Sequence, residues 1–451
     1  MKTLLILAYE CAPYNRPGST IGAQRPFQFA KQLPAFGWRT IVLCADFKDR
    51  YTLSEQKEWE NSIESFVHDK VNLWNDVNET SLVIPLPSLQ HADWIDKAWL
   101  QSVCTDERNG TFTARSGLVN TLKRKGASFL KIFKGDNSQS WQPVAYVAAC
   151  QIFKDHKIDF ILAEHGPDAG FFVARKLSRQ FGIKWCVDFR DPVLRFHKSY
   201  SRCIVKYLYR SYLSSSSFII AVHKAWARLD REDFKKESLV ITNGFDPDEF
   251  DRVSKLESEE HNQALCLFYG GNINFEYQAL TVLFKALALL NKDKKNIEFV
   301  YAGNAHRKVQ ELSELHGVQQ CVTSLEMMPR EKYLKLVLQA DMLVILSFVD
   351  VNNRFFMHGL YPGKVFEYFG LRKPIICVPG DDGILDELLI EVGAGKSFKD
   401  PSVLSLYLSE MMACKQRGEV LPYNPSDKIE DYSRARQAQK LAECLNSYSV
   451  K

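Results

Sequence analysis

The chain has 451 residues, of which 46% are hydrophobic and 25% are charged, and its net charge is +4. This length exceeds what a single hydrophobic core usually fills, so the composition predicts two globular domains. The small net charge gives no indication of a nucleic-acid partner. No apolar run reaches the roughly 20 residues that a membrane-spanning helix needs, which argues against an integral membrane protein.

The cysteines and the first residues favour a cytoplasmic protein. Several of the 11 cysteines stand inside apolar, strand-like runs, and no Cys-x-x-Cys pair occurs. We therefore expect reduced thiols rather than disulfides or a zinc site. The opening MKTLLILAYE has too short an apolar run for a signal peptide, so it predicts a first strand.

Strand-like and helix-like segments alternate through the first half of the chain. The predicted strands are TLLILA, RTIVLC, IDFILA, KWCV, SFIIA and SLVIT, and the predicted helices are AQRPFQFAKQLPAFG, WQPVAYVAACQIFKDH and DAGFFVARKLSRQFG. Such alternation is typical of a mostly parallel, doubly wound sheet. We predict an N-terminal Rossmann-like domain over residues 1–245, with an inserted region at about 85–139 that follows no clean period.

The alternation starts again after a polar stretch, NGFDPDEFDRVSKLESEEHNQ, which predicts a linker. The predicted strands are LCLFY, NIEFVYAG, a short strand near Val322, ADMLVILSF and PIICVP, and the predicted helices include EYQALTVLFKALALLN, HRKVQELSELHG, REKYLKLVLQ and GILDELLIEVG. We predict a second Rossmann-like domain over 262–425 and a C-terminal helix in 426–451 that packs back across the domains. Two such domains predict a central cleft that holds the ligand.

Glycine-bearing loops follow several predicted strands and mark the expected ligand site. They contain Gly18, Gly270, Gly271 and Gly363. Glycine lets backbone amides approach an anion closely, and a helix N-terminus adds partial positive charge, so a phosphate is the expected guest. Lys364 would add a full charge for phosphate, and Glu367, on the same helical face, would accept hydrogen bonds from ribose hydroxyls. The pair indicates a nucleoside diphosphate; the alternative is a solvated ion pair on a helix surface.

The segment YPGKVFEYFGLRKPII resembles the nucleotide-binding segment of retaining GT-B glycosyltransferases, the glycosyltransferase family 4 group. VITNGFDPDEF, LCLFYGGNINFEYQALTVLFKAL, WCVDFRDP and the N-terminal strand with its glycine-rich loop are also similar to segments of that group, in the same order. The resemblance implies the GT-B architecture, a nucleotide-sugar donor and transfer with retained anomeric configuration. The predicted donor-binding residues are Gly18, Gly270, Gly271, Asn272, Arg307, Gly363, Lys364, Val365 and Glu367.

The chain departs from the family pattern at three places. Gly359 stands where many members carry a further glutamate that reaches the donor sugar, and His358 beside it is a substitute candidate. The usual arginine and lysine after the first C-terminal strand are missing, and Arg307 is either their replacement or a solvated surface residue. Arg190 stands where many relatives place a histidine. These differences concern the sugar and the proton-handling group rather than the nucleotide site.

Charged residues at the ends of two N-terminal strands form the predicted catalytic set. They are Asp191, Arg190, Asp188 and His165. A carboxylate within hydrogen-bond reach can take the proton of the acceptor hydroxyl, although in retaining relatives the departing phosphate is often thought to do so. The alternatives are a local salt-bridge cluster for the two aspartates and the arginine, and a structural role for the histidine.

We expect no metal or other cofactor, since no His-x-x-x-His motif occurs and DDG at Asp381 and Asp382 is typical of a turn and helix cap. The predicted function is a metal-independent glycosyltransferase that uses a nucleotide sugar and a glycan or lipid-linked glycan acceptor in cell-surface polysaccharide synthesis. The alternatives are a nucleotide-sugar epimerase of the same architecture and a non-catalytic nucleotide-sugar-binding protein. The basic, apolar segment 115–134 predicts contact with the inner face of the membrane; the alternative is an element packed on the N-terminal domain with solvated lysines.

Overall fold

The computed structural model describes residues 1–15, 21–47, 80–87, 138, 141–196, 199–254, 264–273, 277–290, 296–347 and 361–449. The chain divides into two compact units: unit 1 is Met1–Thr242 with Ala438–Lys451, and unit 2 is Asn243–Gln437. Each unit has one parallel sheet with apolar clusters on both faces. The predicted pair of doubly wound α/β domains is confirmed.

Unit 1 contains a seven-stranded parallel sheet in the order β3-β2-β1-β4-β5-β6-β7. Its strands are β1 (Lys2–Leu7), β2 (Trp38–Asp46), β3 (Ser81–Pro87), β4 (Phe160–His165), β5 (Trp185–Phe189), β6 (Ile219–Ala221) and β7 (Ser238–Val240). The strand order reverses at β1, which pairs with β2 on one side and β4 on the other. Open parallel sheets bind ligands beyond the carboxyl ends of their strands at such a reversal.

Helices cover both faces of this sheet because alternate residues of a strand point to opposite faces. The helices are α1 (Ile21–Gln32), α2 (Gln142–Asp155), α3 (Ala169–Phe181), α4 (Ser199–Leu213) and α5 (Lys224–Phe234). Leu5 and Leu7 of β1 belong to the apolar cluster that includes residues of α2, α3 and α4. Leu4 and Ile6 belong to the opposite cluster, with residues of α1.

Strand β3 lies at the edge of the sheet and contains Pro85 and Pro87. An edge strand tolerates proline because one side of its backbone has no ladder partner. Residues 85–87 of the predicted insertion therefore belong to the sheet, which is a correction to its start. The segment 115–134, predicted to contact a membrane, lies outside the described residues.

Helix α3 approaches β1 very closely at Gly170. A Cβ at this position would overlap with the carbonyl oxygen of Leu7. We therefore expect Gly170→Ala to lower the free energy of unfolding by about 1–3 kcal/mol, although glycine to alanine usually stabilises a helix. Urea unfolding checks this, with Ser178→Ala on the same helix as the control. A Gly170→Ala protein as stable as the wild type would contradict the close contact.

Unit 2 contains a six-stranded parallel sheet in the order β10-β9-β8-β11-β12-β13. Its strands are β8 (Leu265–Gly270), β9 (Ile297–Ala302), β10 (Val322–Leu325), β11 (Met342–Leu346), β12 (Ile375–Val378) and β13 (Gly395–Ser397). Here the order reverses at β8, which pairs with β9 and with β11. The carboxyl end of β8 is therefore the expected ligand position in this unit.

Helices again cover both faces of the unit 2 sheet. They are α6 (Pro247–Ser254), α7 (Tyr277–Leu290), α8 (His306–Leu315), α9 (Arg330–Gln339), α10 (Gly363–Leu371), α11 (Ile384–Val392) and α12 (Pro401–Gln416). Phe245 and Phe250 are buried in the apolar cluster that contains residues of α9, α10 and α11. The first part of the predicted linker thus belongs to unit 2, which begins at Asn243.

The C-terminal helix α13 (Arg434–Ser449) contributes to the core of unit 1. Ala438, Leu441, Ala442 and Leu445 are buried in the cluster that also contains Leu4 and Ile6. Lys184 Nζ donates to the carbonyl oxygen of Tyr448 at 2.7 Å, which ties the end of the helix to the same unit. Among the described residues, no helix has both the length and the apolar character needed to cross a bilayer.

Candidate functional site

Lys364 and Gly271 meet at the carboxyl end of β8, where the strand order of unit 2 reverses. Lys364 is the second residue of α10, and Gly271 directly follows β8. A Cβ at Gly271 would overlap with Lys364 Nζ, so the amino group lies directly over this peptide. The φ of Gly271 is +123°, a conformation that residues with a Cβ rarely adopt. Glycine is thus needed here for both the backbone conformation and the position of the lysine.

Hydrogen bonds hold the peptide of Gly271 in place under the lysine. The Gly271 N–H donates to the carbonyl oxygen of Ala302 at 2.7 Å, and the Tyr301 hydroxyl donates to the carbonyl oxygen of Gly271 at 2.8 Å. The N–H of Ala305 donates to that hydroxyl oxygen at 3.0 Å. Lys364 Nζ lies 5.3 Å from the ring centroid of Tyr269. The amino group is therefore positioned by a fixed loop at the N-terminus of a helix, an arrangement suited to an anion.

Glu367 lies on α10, and its side chain is 17% exposed. Arg330 Nη1, at the start of α9, donates to Glu367 Oε1 at 2.9 Å. The arginine also pairs with Glu249 of α6. Nothing in the sequence near Glu367 identifies Arg330 as its partner, since the two residues are 37 positions apart.

The other predicted donor-side residues have varied environments. Val365 is buried, and its N–H donates to the carbonyl oxygen of Pro362 at 3.0 Å, so its side chain belongs to the core. Gly270 leaves room for the ring of Tyr333, because a Cβ at Gly270 would overlap with that ring. Arg307 is exposed at the first turn of α8. The remaining three are Gly363, which begins α10, Asn272, which is exposed next to Gly271, and Gly18, which lies outside the described residues.

Asp188, at the end of β5 in unit 1, forms a buried ion pair with Arg25 of α1. Arg25 Nε and Nη2 donate to the two carboxylate oxygens of Asp188 at 2.6 and 3.1 Å. Both side chains are almost fully buried, and Arg25 also donates to the carbonyl oxygens of Ile241 and Thr242. This geometry favours the salt-bridge alternative for Asp188, because a doubly bonded, buried carboxylate does not face a substrate.

Glu164 of β4 and Arg190 form a second pair, beside the reversal in strand order of unit 1. Arg190 Nε lies 3.4 Å from Glu164 Oε1, and neither atom has a hydrogen-bond partner in the described part of the chain. Arg190 Nη2 donates to the carbonyl oxygen of Gly166 at 2.5 Å, and Gly22 leaves room for the same guanidinium. Burial raises the pKa of Glu164 to about 7, although the charge of Arg190 acts to lower it.

Glu164 was not in the predicted catalytic set, although it precedes His165 in the sequence. Burial sets the pKa of Glu164, and no local sequence pattern indicates that this side chain is buried. A carboxyl group whose pKa lies near neutral, beside a cation at a strand end, is typical of groups that exchange protons with a ligand.

His165 contacts Asp168 through its Nδ1 and packs against the rings of Phe189 and Tyr209. Burial acts to lower the pKa of His165, but the charge of Asp168 and its hydrogen bond to the ring together outweigh this, so the pKa is raised above its ordinary value. Tyr209 also donates its hydroxyl to Asp168 at 2.5 Å. Asp191, by contrast, is exposed just after β5.

The described ranges contain no group of three or more His, Cys, Asp or Glu side chains that could hold a metal ion. Asp381 Oδ1 accepts from the N–H groups of Gly383 and Asp386, and its Oδ2 accepts from that of Leu385. Asp381 therefore caps α11, as the sequence predicts.

Comparison with solved structures finds matches that span the whole chain at low sequence identity. Sucrose-phosphate synthase from Thermosynechococcus elongatus is 11% identical with a TM-score of 0.53, and the match covers 100% of this chain and 97% of that one. The N-terminal domain of Candida albicans trehalose-6-phosphate phosphatase is 9% identical, with a TM-score of 0.59 and coverages of 100% and 97%. Anabaena HepE in complex with UDP is 13% identical, with a TM-score of 0.50 and coverages of 100% and 98%.

The fold is that of GT-B proteins. At these identities the similarity concerns the fold alone. No family model matches the sequence, and no match was found among curated proteins. Assignment to glycosyltransferase family 4 and the retaining mechanism stay predictions from the sequence resemblance.

Proposed function

We propose that the protein is a glycosyltransferase that moves a sugar from a nucleoside-diphosphate sugar to a hydroxyl of a glycan or lipid-linked glycan. One observation carries the proposal: the amino group of Lys364 lies over the peptide of Gly271 at the carboxyl end of β8. A cation, a glycine and a helix N-terminus converge where a parallel sheet reverses its strand order. These are the features that bind a diphosphate.

In this proposal, different donor-binding residues contact different parts of the nucleotide. Lys364 and the N-terminus of α10 bind the diphosphate, and Glu367 accepts hydrogen bonds from the ribose hydroxyls. An ionised carboxylate has about four lone-pair sites, so Glu367 can keep Arg330 as a partner and still accept from a ribose. Arg307 remains a proposed additional cation for the donor.

The reaction breaks the bond between the anomeric carbon and the diphosphate oxygen, and the electron pair leaves with the nucleoside diphosphate. A bond forms between the anomeric carbon and the acceptor oxygen, whose proton passes to the departing phosphate or to a carboxylate of unit 1. Lys364 and the α10 N-terminus stabilise the negative charge that develops on the leaving group. We propose retention of the anomeric configuration, as in the family that the sequence resembles.

The acceptor-side roles are proposed for residues of unit 1. Arg190, Asp191 and His165 keep the roles expected from the sequence, and Glu164 joins them because of its near-neutral pKa. We assign Asp188 to its ion pair with Arg25 rather than to the reaction.

The solved structures of similar fold support the substrate class. HepE was solved with UDP bound, and sucrose-phosphate synthase is named for the sugar phosphate that it makes. Cell-surface polysaccharide synthesis, a cytoplasmic location and membrane contact through 115–134 remain part of the proposal that rests on the sequence.

A thermal-shift panel followed by a turnover assay tests the proposed function. Purified protein is heated with UDP-glucose, UDP-N-acetylglucosamine, GDP-mannose and a thymidine-diphosphate sugar. A donor at about 100 times its Kd should stabilise the fold by roughly 2.7 kcal/mol. Release of nucleoside diphosphate is then measured with and without glycan acceptors, and we expect release that depends on the acceptor.

The same assay separates the proposal from its alternatives. An epimerase would convert the donor sugar without an acceptor, and a non-catalytic binder would give a thermal shift without turnover. The absence of a shift with every donor would count against any nucleotide-sugar site.

Gly271→Ala tests the contact that carries the proposal. The new Cβ would displace Lys364 Nζ, so we expect donor affinity to fall by about tenfold, which corresponds to about 1.4 kcal/mol. Gly317→Ala is the control, since Gly317 also has a positive φ but a Cβ there meets no atom within 4 Å. Equal donor affinity in the two variants would contradict the proposed position of the diphosphate.

A further inference from the structure

The guanidinium of Arg330 lies between two carboxylates of unit 2. Arg330 Nη1 donates to Glu367 Oε1 at 2.9 Å, and Arg330 Nε donates to Glu249 Oε1 at 3.0 Å. Arg330 Nη2 also lies 3.0 Å from Glu249 Oε1. Glu249 therefore holds one side of the guanidinium and leaves Nη1 directed at Glu367.

The geometry of arginine makes this arrangement directional. A guanidinium is planar and rigid, so fixing Nε and Nη2 also fixes the direction of Nη1. Arg330 begins α9, which is anchored by the buried side chains of Leu334 and Val337. The ring centroid of Tyr333 lies 5.2 Å from the guanidinium carbon. The arginine is thus constrained from its backbone to its tip.

Exposure and charge indicate that the arginine serves the carboxylate rather than the stability of the fold. Arg330 and Glu249 are 47% and 39% exposed, and ion pairs this accessible contribute little to folding. Glu367 is more enclosed, at 17%, but keeps some surface for a ligand. Partial desolvation acts to lower the pKa of Arg330, but the carboxylates of Glu367 and Glu249 together raise it, so the arginine stays charged.

We propose that Arg330 is a positioning residue that orients the Glu367 carboxylate toward the hydroxyls of a ribose. The inference rests on the proposed function, in which Glu367 binds the ribose and Lys364 binds the diphosphate. Loss of Arg330 should then reduce the preference for ribose over 2′-deoxyribose and leave the attraction for the diphosphate largely intact.

Calorimetric titration of the full-length protein with UDP, GDP and their 2′-deoxy counterparts measures this preference. We expect the wild type to bind one ribonucleotide about tenfold more tightly than its deoxy form, the difference expected for one hydrogen bond to a charged group. Glu367→Ala should abolish the ratio. Arg330→Met should reduce it to less than about threefold while changing the affinity for the deoxy form by less than about twofold.

Two further variants separate geometry from charge and from folding. Arg330→Lys keeps the charge but not the planar fork, so its ratio should resemble that of Arg330→Met. Glu249→Ala leaves Arg330 in place but removes the acceptor for its Nε and Nη2 groups, so it should lower the ratio even if Arg330→Met fails to fold. Lys335→Met is the matched control, because Lys335 lies on the same helix and pairs only with Glu331, 3.4 Å away, in the described residues.

The outcomes distinguish this inference from the proposed function. A wild-type ratio retained in Arg330→Met and Glu249→Ala but lost in Glu367→Ala overturns the positioning role and leaves the nucleotide site intact. A wild type that binds the ribo and deoxy forms equally also overturns it. A wild type that binds no nucleotide removes the proposed function itself.

Discussion

Replacement of Lys364 by methionine should reduce turnover of the nucleotide sugar by roughly 10- to 100-fold. Methionine keeps much of the length and apolar stem of lysine but removes the charge over Gly271. A hydrogen bond to a charged group contributes about 1.5–3 kcal/mol, and each 1.4 kcal/mol corresponds to a factor of ten in rate or affinity. The measurement is kcat/KM for release of nucleoside diphosphate in the presence of acceptor.

Whether the loss of kcat/KM comes from a higher KM or a lower kcat shows at which step of the reaction Lys364 acts. Stabilisation of the leaving group predicts that kcat falls, because the charge on the diphosphate increases in the transition state. A rise in KM alone would mean that the lysine binds donor and transition state equally.

Lys332→Met provides the matched control for Lys364→Met. Lys332 is an exposed lysine of α9 in the same unit, and its replacement should leave kcat/KM unchanged. A Lys364→Met enzyme with full activity would place the diphosphate elsewhere and remove the observation on which the proposed function depends.

Replacement of Glu164 by glutamine should alter how stability depends on pH. The pKa of Glu164 is raised from its ordinary value of 4.5 to about 7 by burial. The group therefore favours folding fully below pH 4.5, and this contribution is lost as the pH rises through about 7. One pKa unit is worth about 1.4 kcal/mol, so the whole loss is about 3 kcal/mol.

Glutamine does not titrate, so the Glu164→Gln protein should lack this loss. The difference in free energy of unfolding between variant and wild type should move by about 3 kcal/mol in favour of the variant from pH 4.5 to pH 8. Urea unfolding at several pH values measures it. Comparison across pH removes the constant effect of losing the charge beside Arg190.

Glu237→Gln controls for the removal of a carboxylate from unit 1. Glu237 is exposed, so this variant should follow the pH dependence of the wild type. A Glu164→Gln protein that also follows the wild type would show that Glu164 is ionised at its ordinary pKa, and its proposed part in proton transfer would lose its support.

The stability cost of Glu164 is informative about the site. Glu164 is buried next to Arg190, and each side chain has a buried polar atom without a hydrogen-bond partner in the described residues. Such an arrangement lowers the stability of the fold, which suggests that it is kept for another reason. Asp188, which is the register partner of Glu164 on the adjacent strand β5, accepts from Arg25 through both of its carboxylate oxygens. The contrast favours a structural role for the Arg25–Asp188 pair and a ligand-linked role for the Glu164–Arg190 pair.

The alternation of strands and helices, and the local features of the proposed nucleotide site, could be predicted from the order of residues alone. Apolar periodicity, glycine at a strand end and Lys364 at a helix start are local features, and local physics suffices to predict them. Strand β3 was not predicted because it contains Pro85 and Pro87, which a strand tolerates only at the edge of a sheet. The order of residues does not indicate which strand lies at the edge.

Which charged groups face each other, by contrast, depends on how the strands and helices pack. Arg25 and Asp188 are 163 positions apart, and Arg330 and Glu367 are 37 apart, so their pairing depends on the order of strands in each sheet. The raised pKa of Glu164 likewise depends on burial by distant segments. Partner choice and desolvation are set by the packing of elements remote in the chain, and no local pattern of residues encodes them.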